Sequence, residues 1–348
     1  LFSIVNLIIF ASMVYFGLCY IIICSNHVQS IIVYSHYVKE DIPLRNLITM
    51  GLPEAKNIDI ITEDGILLRG WHLMPPGKEL LQANTLPEAQ RDIFFDENLA
   101  HSERVVIYFH GNSQTRGQGY RLRKIKQLAL YLRAHVIAVD YRGFADSEGH
   151  PSEEGTHTDA RAVLQYVDNI LTATQPHLFL YGHSLGAAIS VAIAVEVTTA
   201  RPGALSGVLL DCPFTALPDA IRHHPLTTPF RAFPWIFQII LQFHYPNIAR
   251  IRNISAPLMM IHAVSDIKIH ASHSRALYLR ATNTTALVNE SDVSHYGQNT
   301  HIVPFGGERG GAARECSYPV EFHTVAGAGH NEVYATREWL SLVPAFAQ

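Results

Sequence analysis

Leu178-Phe179-Leu180-Tyr181-Gly182-His183-Ser184-Leu185-Gly186-Ala187-Ala188-Ile189 decides the fold of this chain. A short apolar run of strand length enters G-x-S-x-G at Gly182 to Gly186, and a small-residue segment running to Ala194 leaves it as a buried helix. A serine on so sharp a strand-to-helix turn points its hydroxyl out of the backbone, toward a substrate. Glycines flank it because any side chain there would collide with the neighbouring strand and helix. The five-residue pattern alone is weak, since chance supplies it; the strand before and the helix after give it weight.

Outward from the turn the same alternation repeats. Val105 to Phe109 is an apolar run that ends at His110-Gly111-Asn112, and a helix follows with Ile125, Leu128 and Leu132 on one face. His135 to Asp140 reads as a buried strand, and residues 155–171 as a helix carrying Ala160, Val163, Leu164 and Val167. Gly207 to Asp211, Leu258 to His262 and Val320 to His323 are further strands. Short apolar strands alternating with helices predict an α/β fold, a mostly parallel central sheet with helices on both faces. Asn57 to Thr62 and Ile66 to Leu73, around Glu63-Asp64-Gly65, predict a hairpin that opens a domain over 57–348. Residues 77–103 are polar with acidic members and read as a surface insertion.

The 348 residues are 48% hydrophobic and 16% charged with a net charge of −4, and they contain no Lys/Arg run, which argues against nucleic acid as a partner. Residues 1–24 carry no charge. A helix of that length exceeds the ~30 Å hydrocarbon core, so a transmembrane anchor is expected there; a cleaved signal fits less well, because no small-x-small site closes the run. Residues 25–56 read as a membrane-proximal connector. The four cysteines form no C-x-x-C, so neither zinc nor a disulfide framework is expected. With no His-Glu-x-x-His, P-loop or G-x-G-x-x-G after a strand, no cofactor is implied. Sequons at Asn253, Asn283 and Asn289 lean toward a lumenal or extracellular catalytic domain. Residues 213–256, with Phe214, Phe230, Phe233, Trp235 and Phe243, are too long and too apolar for a plain crossover; a lid over an apolar pocket is the expected reading, with a membrane-touching surface or extra core as the alternatives. Residues 283–318 predict a long polar loop.

A serine hydroxyl needs a base, and that base works best when a carboxylate orients it. Ligands in such sheets bind beyond the carboxyl ends of strands, and the expected chain order is Ser, then Asp or Glu, then His. Asp266, shortly after Leu258 to His262, fits the acid, with Asp211 as the runner-up. His330, in the turn Gly327-Ala328-Gly329-His330-Asn331, fits the base; His295, His301 and His323 lack its order or its turn. The amide of Leu185 is one expected oxyanion donor, and that of Asn112 the second, with His110 bracing its loop. A haloalkane- or epoxide-opening enzyme would want a carboxylate at position 184.

These residues make the chain resemble an α/β-hydrolase, from about residue 57 to the C-terminus. More narrowly it resembles the membrane-anchored lipases of monoacylglycerols and lysophosphatidylserine, the abhydrolase domain-containing protein 12 group. The likeness rests on Tyr108 to Asn112 with Thr115-Arg116-Gly117, on Asp140 to Ser147, on Tyr181 to Gly186, on Asp211 to Thr215, on His262 to Asp266 and on Gly329-His330. It implies an endoplasmic-reticulum membrane protein with a lumenal active site and a bilayer-borne lipid ester as substrate. The expected activity is cleavage of single-chain lipid esters through an acyl-enzyme at Ser184. A thioesterase or a diacyl phospholipase would use the same residues, and a non-catalytic binding protein would be expected to lose one of them.

Overall fold

The computed structural model describes residues 2–172, 176–221, 235–283 and 318–348. Its centre is an eight-stranded sheet in the order β1-β2-β4-β3-β5-β6-β7-β8. β1 (Ala55–Ile61) and β2 (Leu67–Leu73) form the expected hairpin, and β2 pairs antiparallel with β4 (His135–Asp140). β3 (Arg104–Phe109), β5 (His177–His183), β6 (Gly207–Asp211), β7 (Leu258–Ala263) and β8 (Val320–Val325) run parallel.

Strand periodicity divides the core into two faces. On β3, Val105, Ile107 and Phe109 pack into one cluster and Val106 and Tyr108 into the other; on β4, Ile137 and Val139 alternate with Val136 and Ala138 in the same way. The first face is covered by α6 (Glu153–Ile170), α7 (Leu185–Ala200) and α11 (Ser272–Ala281). The second is covered by α5 (Gly119–Leu132), through Ile125, Leu128 and Leu132, and by α12 (Arg337–Phe346), through Trp339 and Val343. Each such fully buried large apolar side chain contributes about 1.5–3 kcal/mol. α7 is apolar around its whole circumference because Leu185 through Ala194 is buried on every side. The Asp140-Tyr141-Arg142 segment braces strand ends: Asp140 accepts from the Arg116 amide at 2.7 Å, and Arg142 Nε donates to Asp159 at 2.8 Å.

Residues 77–103 fold as α3 (Lys78–Ala83) and α4 (Glu88–Ala100), and Phe95 and Leu99 are buried there. Residues 25–56, expected as a connector, dock on the domain. α2 (Asn26–Tyr34) buries Tyr34 and Val33 in the first core cluster, and Leu44 and Leu52 enter the second.

Two expectations are met only in part. A helix does form at the start of the chain, α1 (Phe2–Cys24), but among the described residues no helix is long and apolar enough to cross a membrane. In α1, Ile4, Leu7, Ile8, Phe10 and Met13 are exposed. Of the predicted lid at 213–256, the described part holds α8 (Leu217–Ile221), α9 (Trp235–Ile240) and α10 (Asn247–Arg250), and its Phe214, Phe243 and Tyr245 are core residues. Those rings are drawn inward by the apolar face of the sheet, so their hydrophobicity signals core and not a cover over a pocket. Phe230 and Phe233 lie outside the described residues, as does the polar loop over 284–317 with Asn289, His295, His301 and Cys316.

Strand β5 and helix α7 meet at a contact with no room for a methyl group. A Cβ on Gly186 would stand 2.0 Å from the Phe109 carbonyl oxygen, and one on Gly182 would stand 2.3 Å from that of Gly186. Gly186→Ala is expected to lower stability by about 3 kcal/mol, measured by urea unfolding, through forced separation of α7 from β3.

Candidate active site

Ser184 joins β5 to α7 with φ 54 and ψ −113, a backbone conformation that an L side chain adopts only under strain. The strain is held by three ties: its amide donates to the Asp211 carbonyl at 2.9 Å, its carbonyl accepts from the Ala187 amide at 3.0 Å, and Gly182 and Gly186 permit close packing on either side. The side chain therefore leaves the turn half-exposed while its neighbours are buried.

The structure brings Ser184, His330 and Asp266 into one hydrogen-bonded line. His330 Nε2 lies 2.9 Å from Ser184 Oγ, and His330 Nδ1 lies 2.5 Å from Asp266 Oδ2. Asp266 follows β7, and His330 follows β8 in the turn before α12, so the parallel strands deliver both to the end of the sheet where β5 delivers the serine. The other Asp266 oxygen accepts from the Lys268 and Ile269 amides at 2.8 and 3.0 Å. Burial raises the Asp266 pKa, but hydrogen bonds from His262, His330 and the Ile269 amide outweigh it and hold the carboxyl well below the usual range. The carboxylate thus stays ionised while fixing the imidazole with Nδ1 protonated and Nε2 free to accept from serine.

Two histidines missed in the sequence reading support this line. His262 Nε2 lies 2.8 Å from the Ile269 carbonyl and its Nδ1 2.6 Å from Ser274 Oγ, which ties the loop carrying Asp266 to α11. His183, the variable residue of the G-x-S-x-G turn, places Nε2 2.9 Å from the His330 carbonyl. Burial, then Lys124 and His330 nearby, push the His183 pKa well below its ordinary value, so it is neutral and donates that bond. His183 was legible as a neighbour of the serine, but its partner lies 147 residues away.

Asn112 and Leu185 stand at the two backbone positions expected for an oxyanion hole. Leu185 is the first residue of α7, where an amide has no partner inside the helix. A Cβ on Gly111 would stand 3.4 Å from Ser184 Cβ, so the loop after β3 passes directly against the nucleophile. Arg121 from α5 gathers that loop's carbonyls, donating to Gly111 at 3.0 Å and Asn112 at 2.8 Å. In a planar trans peptide the N–H opposes the C=O, so the Asn112 amide points away from Arg121. Among the described residues neither the Asn112 nor the Leu185 amide donates to a protein acceptor. His110 braces this loop as expected: its Nδ1 lies 2.6 Å from the Gly111 carbonyl, and its own carbonyl accepts from Tyr141 at 2.7 Å.

Asp211, the runner-up acid, is engaged elsewhere. It pairs with the buried Lys124 and accepts from the Tyr181 hydroxyl at 2.8 Å, and Trp339 Nε1 donates to that hydroxyl at 3.0 Å. This network lies behind the nucleophile turn and not in line with His330. His323 points along β8 to Glu321 at 2.9 Å. Cys212, free and buried, brings its sulfur within 4.8 Å of an Asp266 oxygen and a His330 nitrogen. Asp266 and His330 commit their inner atoms to each other, so this trio offers proton chemistry and not a ready set of metal ligands.

Replacing Asp266 with Asn is expected to lower kcat for ester hydrolysis by roughly 10³–10⁴-fold, because the amide favours the wrong imidazole tautomer. Because folding depresses the Asp266 pKa below its unfolded value of ~4, its stabilisation is complete above that pH and is lost as the pH falls below it. Acid-side melting curves should therefore be shallower in Asp266→Asn than in the parent.

Comparisons with known proteins agree with this fold. The model of the alpha/beta hydrolase family matches residues 106–340. The lysophosphatidylserine lipase ABHD12 of Danio rerio is 26% identical over 305 residues, covering 85% of this chain and 75% of that protein. The Gallus gallus protein of the same name is 28% identical over 80% of this chain and 72% of its own. Protein ABHD12B of Homo sapiens is 28% identical over 67% of this chain and 64% of its own length. Among solved structures, an alpha-beta hydrolase from Vibrio vulnificus superposes with a TM-score of 0.59 at 15% identity, covering 93% of this chain and 94% of that one. The Pyrococcus furiosus esterase Pf2001 superposes at 0.55 and 18% identity over 86% of this chain and 92% of its own. The matched sheet, the strained serine turn and the bonded Ser–His–Asp line agree with one another: the chain belongs to the alpha/beta hydrolase family, as a serine ester hydrolase.

Proposed function

We propose that this enzyme hydrolyses the ester of single-chain lipids, with lysophosphatidylserine as the first substrate to test and monoacylglycerol as the second. The observation that carries the chemistry is the 2.9 Å approach of His330 Nε2 to Ser184 Oγ, with Asp266 behind the ring. Ser184 Oγ attacks the ester carbonyl as His330 takes its proton. The Asn112 and Leu185 amides receive the developing oxyanion, stabilisation that is worth about 3–4 kcal/mol per donor in comparable sites. His330 then protonates the leaving glycerol oxygen, and water, deprotonated by the same ring, frees the fatty acid from Ser184.

The lysophosphatidylserine lipase activity for which the ABHD12 relatives are named supports the substrate class. The exposed Ile4, Leu7, Ile8 and Phe10 of α1 support attachment of the enzyme to the lipid surface that holds such substrates. Asn253 and Asn283, exposed in the structure, suit a lumenal placement of the catalytic domain, with glycosylation at those sequons.

A panel of lysophosphatidylserine, monoacylglycerol, diacyl phospholipid and S-acylated peptide, assayed with the parent and with Ser184→Ala, tests this reading. Single-chain lipids should turn over fastest, and Ser184→Ala should lose at least about 10³-fold of that rate. Faster cleavage of the thioester or of the diacyl lipid would overturn the substrate assignment. Undiminished turnover in Ser184→Ala would overturn the mechanism.

A further inference from the structure

The connector between α1 and the sheet is bonded to the loop that carries the Asn112 amide. Asn112 Nδ2 donates to the Val33 carbonyl at 3.1 Å, the Ser113 amide to the Tyr34 carbonyl at 2.8 Å, and the Gln114 amide to the Val38 carbonyl at 2.7 Å. Ser113 and Gln114 are consecutive non-glycine residues in the left-handed region, at φ 53 and 57. Such a pair does not keep that geometry by its own preference. Arg121 fixes the carbonyls on the inner side of the loop, and the connector takes three donors on its outer side.

The connector is itself anchored firmly enough to impose this geometry. Tyr34 is wholly buried, and its hydroxyl lies 2.9 Å from that of Tyr245, which is 2.8 Å from Thr156 Oγ1 on α6. Ser30 Oγ donates to the Pro151 carbonyl at 2.8 Å, and Gln29 bridges the end of α9 and the chain after it, donating to the Ile240 carbonyl at 2.7 Å and accepting from the Gln242 amide at 2.9 Å. α2 begins two residues after the end of α1, with Ser25 as its cap.

We propose that residues 26–38 are a clasp that positions the oxyanion loop, with the Asn112 side chain as its principal contact and Tyr34 as its anchor. The inference rests on the acyl-transfer reading above and extends it: the segment leading from the apolar helix is part of the catalytic apparatus. Asn112 and Tyr34 act here as positioning residues. The Asn112 side chain holds the peptide whose N–H meets the oxyanion, and that N–H survives its truncation.

The test compares the parent with Asn112→Ala, with Asn112→Ala combined with Gln114→Gly, and with Tyr34→Phe, on lysophosphatidylserine and on a short-chain chromogenic ester. Asn112→Ala should lower kcat about tenfold on both substrates with KM within twofold, since the loss falls on the transition state. Adding Gln114→Gly should recover at least threefold of it, because glycine adopts the left-handed conformation without help. Tyr34→Phe should lower kcat in the same sense, and it carries the test if Asn112→Ala fails to fold. An unchanged kcat in Asn112→Ala, a rise in KM alone, or a loss that Gln114→Gly leaves untouched would overturn the clasp; the last two outcomes would mark Asn112 as a substrate contact. A parent inactive on every ester would instead overturn the acyl-transfer reading.

Discussion

The strained backbone of Ser184 is the constraint on which the rest of the structure depends. At φ 54 the residue survives only because β5 and α7 are pressed together on both sides of it. That contact needs bare glycine at 182 and 186, where any Cβ would overlap backbone atoms. It also needs β6, whose Asp211 carbonyl receives the serine amide. The sheet order puts β6, then β7, then β8 beside β5, so the strand that steadies the turn also leads toward those that deliver Asp266 and His330. Fold and catalytic geometry thus share one set of contacts.

Behind that turn lies a buried polar network that apolar packing alone would not supply. Lys124, Asp211, Tyr181 and Trp339 form a linear chain of hydrogen bonds across α5, β6, β5 and α12. Removing one member of such a buried pair typically costs about 3–5 kcal/mol, because the other is left unpaired. The carbonyl of Asp211 meets the Ser184 amide while its carboxylate holds Lys124, so rigidity passes from the core to the nucleophile through a single residue. His183 extends this on the other side, from the serine turn to the His330 backbone.

Much of this was legible in the chain, for identifiable reasons. Strands of four to six apolar residues, helices of period 3.6 and the glycine spacing around Ser184 are local signals, and each corresponds to a described element. The order Ser184, Asp266, His330 was readable because parallel topology forces partners to lie just after strands. The choice between Asp266 and Asp211 needed coordinates, since both lie at or just after strand ends and only their partners, His330 for the first and Lys124 for the second, separate them. Residues 25–56 have the mixed polarity of a connector, and the burial of Tyr34, Leu44 and Leu52 depends on surfaces far away in sequence. The aromatic residues after β6 left lid and core both open. Phe214 and Phe243 answer the same hydrophobic drive as a lid would, but satisfy it in the core. For α1, the uncharged run forms the expected helix, and among the described residues no helix is long and apolar enough to cross a membrane.

The central claim is that one serine, made nucleophilic by His330 and Asp266, carries the ester chemistry. It is tested most directly by titrating the folded enzyme with a fluorophosphonate while following lysophosphatidylserine hydrolysis and the mass of the peptide that contains Ser184. The account predicts a single adduct on Ser184, with activity lost in proportion to its occupancy. Hydrolysis that persists with Ser184 fully modified, or an active enzyme whose Ser184 takes no adduct, would contradict it.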